Sequence, residues 1–267
     1  MTNRIALLFL LLTAAPLAAQ EFACTVAGDP RFLRAEVAAE YVGHIDIGCL
    51  GGTPTLPGNP IPQYTIQVSL NTPITSRVTA SPSYSEALLL VSPAWLIYNH
   101  RYCTEASCLT TAGDARIPNV FQARQTSANA LTFPGIPIDP PGPTGFVGFS
   151  LTNIRVNAAA LAATPGASIY ATVSITGPAV IPLSNPRVFV GTVLPGVVTS
   201  VSRSVAGYPQ CNAVDTTAGP TTVLRFREAF APAFRRRNII GPGDPDTALT
   251  PIAQNDILRT YFTETNF

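Results

Sequence analysis

The sequence predicts an all-β protein of the antiparallel, sandwich-like kind with one short helix near residues 225–237. Apolar and polar residues alternate along several short runs, which is the pattern of strands with one buried face. Turn sequences separate these runs, and the chain has 26 prolines and 19 glycines. Short strands joined by such turns are typical of antiparallel sandwiches.

The clearest alternation lies in residues 64–70, which place four apolar side chains on one face, and residues 169–175 repeat it. Along residues 149–156 the apolar phase slips by one position at Asn153, which predicts a β-bulge. Shorter runs predict further strands at residues 41–47, 88–91, 187–190, 197–201 and 222–226, with a weaker one at 257–262.

The predicted turns contain proline, which cannot donate a hydrogen bond to a central strand. They lie at residues 51–54, 57–60, 134–137 and 140–143. A boundary near residues 139–144 would divide the chain into a β-rich lobe with disulfides at 21–140 and a β-rich lobe with the short helix at 141–267. Strand pairing across this boundary is equally compatible with the sequence.

The helix prediction rests on Phe226, Phe230 and Phe234, which are spaced at i, i+4 and i+8. Pro232 would kink or end such a helix. We expect the three phenylalanines to pack on a sheet. The three arginines that follow, residues 235–237, would then complement the dipole at the helix end, although they could also meet an acidic polymer or anionic lipid.

Residues 1–20 have the order of a signal peptide. Arg4 precedes an apolar run at residues 5–12, and small residues suited to cleavage follow at 14–19. The run is shorter than the ~20 residues of a membrane span, and no later run approaches that length. We expect cleavage near Ala19 or Gln20 and a secreted or outer-surface protein without a transmembrane segment; a periplasmic location also fits.

All five cysteines follow this segment, so disulfides are expected. Cys103 and Cys108 are close enough to close a short loop, and Cys24 with Cys49 would tie the mature N-terminus to the first strand region. Cys211 is then left as a free or intermolecular thiol. No CxxC pair occurs, and the two histidines are His44 and His100, so no metal site is predicted.

Charge and motifs exclude several classes of function. Charged residues make up 12% and the net charge is +1, which gives no drive toward nucleic acid. No nucleophile elbow, phosphate loop or dinucleotide motif is present, so no catalytic or cofactor-binding residue is assigned. Residues 244–246 (Asp-Pro-Asp) fit a turn better than a calcium site. Three aromatic residues could stack on sugar rings or pack internally: Trp95, Tyr98 and Tyr102.

Three short segments prompt a comparison with a known group: residues 49–54 (CLGGTP), residues 68–77 (VSLN…ITSR) and residues 151–157 (LTNIRVN). In these segments the chain resembles secreted β-rich bacterial proteins that have no assigned enzyme activity. The resemblance implies an extracellular β-rich architecture with adhesive or surface-layer roles.

The sequence therefore favours an exported structural or adhesive protein without enzymatic activity and without a cofactor. Its partners would be an extracellular glycan or other surface proteins. The alternative is a carbohydrate-binding module or glycan-acting enzyme that uses exposed aromatics and scattered acids. A homo-oligomer of a surface assembly, cross-linked through Cys211, is a third hypothesis.

Overall fold

The computed structural model describes residues 21–78, 84–92, 100–103, 108–114, 117–203, 222–231 and 233. Within them, one 3₁₀ helix lies at Ala158–Leu161. The strands are β1 Ala23–Gly28, β2 Arg31–Arg34, β3 Glu40–Tyr41, β4 Ile45–Gly51, β5 Gln63–Leu70, β6 Tyr84–Val91, β7 Val120–Ser127, β8 Ala130–Pro137, β9 Gly142–Thr152, β10 Arg155–Val156, β11 Ala167–Thr176, β12 Leu183–Ser184, β13 Arg187–Leu194, β14 Val197–Arg203 and β15 Thr222–Glu228.

Most strands belong to one curled, mixed sheet, so the all-β prediction is confirmed. Its order is β12-β1-β4-β9-β6-β7-β8-β5-β11-β13-β2. Adjacent strands from β1 to β13 in this order are antiparallel, as predicted. The outermost pair at each end, β12 with β1 and β13 with β2, is parallel. Strands from both sides of residue 140 alternate in the sheet, because β9 lies between β4 and β6. Pairing across this position, which the sequence left open, is therefore present.

The two ends of the sheet meet along a seam. Only Asp29 and Pro30 connect β1, near one end of the sheet, to β2 at the other. Across the seam the Gly43 amide donates to the carbonyl of Val190 at 2.9 Å. A Cβ on Gly43 would lie 1.5 Å from the Asp29 carbonyl oxygen, and one on Gly28 would lie 2.4 Å from that of Phe189. The seam closes because these positions have no side chain.

The inward side chains of the curled sheet form one apolar core. The predicted alternation of residues 64–70 and 169–175 is confirmed in β5 and β11, whose buried positions recur every second residue over most of each strand. The largest fully buried side chains come from both halves of the sequence, and they include Phe133, Phe149, Leu33, Ile66 and Leu131. This core gives the outer face of the sheet a firm support.

The prediction of a helix at residues 225–237 is wrong for those of its residues that the structure describes. Its first residues, 225–228, belong to β15, which pairs with β14 in a separate two-stranded sheet. Residues four apart share a face in a strand as well as in a helix, so the spacing of Phe226 and Phe230 does not distinguish the two. Phe230 does pack on the sheet, with its ring centroid 5.4 Å from that of Phe32. Pro232 and residues 234–237 lie outside the described residues.

Two other local predictions need correction. At Asn153 the chain does not bulge but leaves the main sheet: Asn153 has a φ of +59°, and β10 beyond it pairs with β3. The proline-glycine pair at residues 134–135 lies inside β8, where the pairing with β5 shifts register, and not in a turn. Of the segment 51–54, Gly51 still belongs to β4, and Gly52 has a positive φ. The turn at residues 57–60 is confirmed, with the Asn59 amide donating to the Leu56 carbonyl at 3.0 Å. Residues 1–20 and 257–262 lie outside the described part.

Candidate functional site

The floor of one groove on the outer face of the sheet is made of glycine. On the outward face of the sheet, Gly48 of β4 pairs directly with Gly148 of β9 on one side and Thr25 of β1 on the other. Two adjacent glycines leave the sheet surface without side chains at this point. The result is a groove of about 610 Å³ across β1, β4 and β9.

An aromatic wall closes one end of the groove. A Cβ on Gly48 would lie 2.9 Å from Cε2 of Phe146, so the edge of this ring lies against Gly48. Phe146 is nonetheless 59% exposed. Leu50, the register partner of Phe146, is 48% exposed. Of these two residues, Phe146 lines the groove and gives it an apolar, solvent-facing wall.

The opposite end of the groove is polar. Asp46 and Ser150 are register partners and both line the groove. The Nε2 atom of His44 lies 3.4 Å from the Thr152 hydroxyl and 3.5 Å from a guanidinium nitrogen of Arg31. These carboxylate, hydroxyl and imidazole groups can exchange hydrogen bonds with a hydroxylated ligand.

A disulfide fixes the floor from beneath. Cys24 and Cys49 are register partners next to the Thr25–Gly48 pair, and they form a disulfide on the buried inner face. Both residues are almost fully buried. The predicted pairing is therefore confirmed, and it ties together two of the three strands that make the groove.

A second groove, of about 540 Å³, lies beside β2 and β3. Two of its charged groups are paired with each other: Nε of Arg34 donates to Oε1 of Glu40 at 2.9 Å, and Glu40 is 3% exposed. Glu36, nearby in sequence, accepts a hydrogen bond from the Gly196 amide at 2.9 Å. The two acids have structural partners, so we assign the ligand site to the first groove.

The other sequence candidates are distributed as follows. Cys103 and Cys108 form the second predicted disulfide. Tyr102 is 63% exposed, and its ring centroid lies 6.3 Å from that of His100. Neither residue lines the groove. Several candidates lie outside the described residues: Cys211, Trp95, Tyr98, Arg235–Arg237 and Asp244–Asp246. Within the described part, no group of three or more His, Cys, Asp or Glu could hold a metal.

The groove residues Gly48, Gly148 and Phe146 were not singled out from the sequence. A usable signal was present, since an isolated glycine inside a strand pattern indicates a close approach or a gap in the sheet surface. Recognising that the two glycines are neighbours requires the β4–β9 register, which the sequence does not give.

The chain matches no protein-family model and no curated protein. In the part of the chain that the structure describes, no helix is long and apolar enough to cross a membrane.

Proposed function

We propose that the protein is an exported structural or adhesive protein that acts by binding, with the groove across β1, β4 and β9 as its binding surface. The observation that supports this most directly is the combination of a glycine floor, an exposed Phe146 beside it and a polar end at Asp46. Such a convergence of apolar wall and few polar groups is the usual build of a ligand site.

The ligand class that fits the groove best is a neutral saccharide. An exposed aromatic ring offers a face for the apolar side of a sugar, while Asp46, Ser150 and Thr25 can bond to its hydroxyls. Glycoside cleavage commonly uses two carboxylates, and Asp46 is the acid among the described residues that line this groove. The groove thus favours binding of a glycan over its cleavage.

The proposed setting outside the cytoplasm is supported by the two disulfides, which are typical of oxidising compartments. It is also supported by the signal-peptide order of residues 1–20. Adhesion requires a surface that resists deformation, and the Cys24–Cys49 disulfide provides this beneath the groove.

The test is a glycan array probed with the purified chain from residue 21, followed by titration calorimetry with the glycans retained. Phe146→Thr should weaken binding at least tenfold. Phe32→Thr is the matched control, because Phe32 is 57% exposed but lines the other groove. Failure to retain any glycan, or equal losses in the two variants, would overturn the assignment.

A further inference from the structure

The two grooves meet at the seam between the ends of the sheet. His44 lines the first groove and Arg31 lines the second, and a guanidinium nitrogen of Arg31 lies 3.5 Å from Nε2 of His44. Ala27 also lines the first groove, and Pro30, which follows it closely along the chain, lines the second. The second groove therefore begins where the polar end of the first groove stops.

Both grooves lie on the outer face of the sheet. In β1 the exposed positions Thr25 and Ala27 of the first groove alternate with buried ones. In β2 Leu33 is buried, and its neighbour Phe32 in the second groove is exposed. A ligand can thus pass from one groove to the other along a single surface without entering the core.

The second groove has an aromatic wall of its own. Phe32 and Phe230 line it, and their ring centroids lie 5.4 Å apart. From Gly48, beside Phe146, the chain runs four residues back to His44, which is about 13 Å in an extended strand. Since the second groove begins only there, a short saccharide against Phe146 does not reach the second wall.

The charges that line the two grooves cancel. In the second groove Arg34 pairs with Glu40, and where the grooves meet Arg31 and Asp46 have opposite charges. Among the described residues that line the grooves there is thus no excess of one charge to attract an acidic or basic polymer. The guanidinium of Arg31 can donate hydrogen bonds to sugar hydroxyls, and the carboxylate of Asp46 can accept them.

We propose that the two grooves form one continuous path for a linear, neutral glycan, which contacts Phe146 at one end and Phe32 with Phe230 at the other. This inference rests on the proposed function, because the first groove is where the path starts. A disaccharide occupies the first groove alone, whereas a longer chain crosses the seam past Arg31 and occupies both. The second contact of a longer chain is intramolecular, so it raises the affinity.

The experiment is titration calorimetry on the chain from residue 21 with neutral, linear oligosaccharides of increasing length. The probes are β-1,4-linked glucose, mannose, xylose and N-acetylglucosamine and α-1,4-linked glucose, each from disaccharide to octasaccharide. One octasaccharide should bind per chain, at least tenfold more tightly than the disaccharide of the same series. Added salt should leave both affinities unchanged, because no net charge takes part.

Variants separate the two ends of the path. Phe32→Thr should weaken octasaccharide binding about threefold and leave disaccharide binding unchanged, whereas Phe146→Thr should weaken both. Phe32→Tyr keeps the aromatic ring and should retain the octasaccharide affinity. Arg31→Gln should also weaken octasaccharide binding, and Arg187→Gln, at an exposed arginine that lines neither groove, is its matched control. Urea unfolding of each variant verifies that it is folded.

The outcomes distinguish this inference from the proposed function. Equal affinities for disaccharide and octasaccharide, or octasaccharide binding that Phe32→Thr does not change, would overturn the continuous path and leave the first groove as a binding site. Two octasaccharides per chain would show two separate sites and would also overturn it. Without binding in any series the path is wrong, and the glycan array then decides the proposed function independently.

Discussion

The Cζ atom of Arg155 lies 3.8 Å from the centroid of the Tyr41 ring. The Nε atom of Arg155 also lies 2.8 Å from Oε1 of Glu86. One arginine of β10 thus contacts β3 and β6 and fixes the small β3–β10 pair against the main sheet. Guanidinium stacking and ion pairing together explain why an arginine suits this position better than a lysine.

Replacing Arg155 with lysine should lower the free energy of unfolding by about 1 to 2 kcal/mol, because an ammonium cannot stack and pair in the same geometry. The ion pair between Arg155 and Glu86 is partly exposed and contributes little of this loss in stability. Arg187→Lys is the matched control, since its Cζ lies 4.4 Å from the Tyr170 ring centroid on the exposed face. Guanidinium chloride unfolding measures both, and equal effects would contradict the bridging role.

The two disulfides should stabilise the fold unequally. In the loop-entropy treatment, closing the 25-residue separation of Cys24–Cys49 stabilises by about 3.5 kcal/mol, and the short Cys103–Cys108 loop by about 2 kcal/mol. Cys24→Ala with Cys49→Ala should therefore lower the unfolding midpoint more than Cys103→Ala with Cys108→Ala. Urea unfolding of the two double variants checks this, and the reverse order would show that strain or local packing dominates.

Removing the carboxylate of Glu40 should be costly. Glu40→Gln removes the carboxylate that pairs with the Arg34 guanidinium in a largely buried setting, where breaking a pair costs about 3 to 5 kcal/mol. Glu86→Gln is the control, because the Glu86 side chain is 28% exposed and should lose about 1 kcal/mol. The measurement is the midpoint of thermal unfolding, and similar shifts would argue against burial as the cause.

The seam should not tolerate a side chain at Gly43. Gly43→Ala places a methyl group against the Asp29 carbonyl and should destabilise by roughly 3 kcal/mol or more, or prevent folding. In Gly48→Ala the new methyl group would instead meet the ring of Phe146, a side chain that can move aside. The Gly48→Ala variant should keep the wild-type free energy of unfolding but bind glycan more weakly. The two alanine variants therefore distinguish an effect on packing from an effect on binding. Circular dichroism and calorimetry on both variants distinguish these effects.

Burial raises the pKa of Tyr64 above its ordinary value of about 10. In the unfolded chain this phenol ionises near pH 10, whereas in the folded protein it stays neutral to higher pH. Its contribution to stability is therefore complete below pH 10 and is lost as the pH rises above that value. Tyr64→Phe should flatten the fall of unfolding free energy between pH 9.5 and 11.5. An unchanged slope would show that other groups cause it.

Local patterns in the sequence were sufficient for much of the fold. The alternation in β5 and β11 reports one buried face, and that face is buried in the structure. Cysteine spacing was sufficient for Cys103–Cys108 and correctly paired Cys24 with Cys49.

Long-range register was not accessible from the same patterns. The proline and glycine of residues 134–135 look like a turn, yet neighbouring strands hold them within β8. The spacing of Phe226 and Phe230 fits a helix and a strand equally well. Residues 222–228 form a strand because they pair with β14. The groove depends on Gly48 lying beside Gly148, a distance of a hundred residues in sequence.

The seam between the sheet ends also determines when the chain can fold. β1 and β2 find their outer neighbours only in β12 and β13, so the first strands stay incomplete until residues 183–194 have been synthesised. Contacts this distant in sequence slow the search for the native state. The polypeptide should thus remain open for longer than a protein whose contacts are local, and the sheet closes only after β13 has joined it.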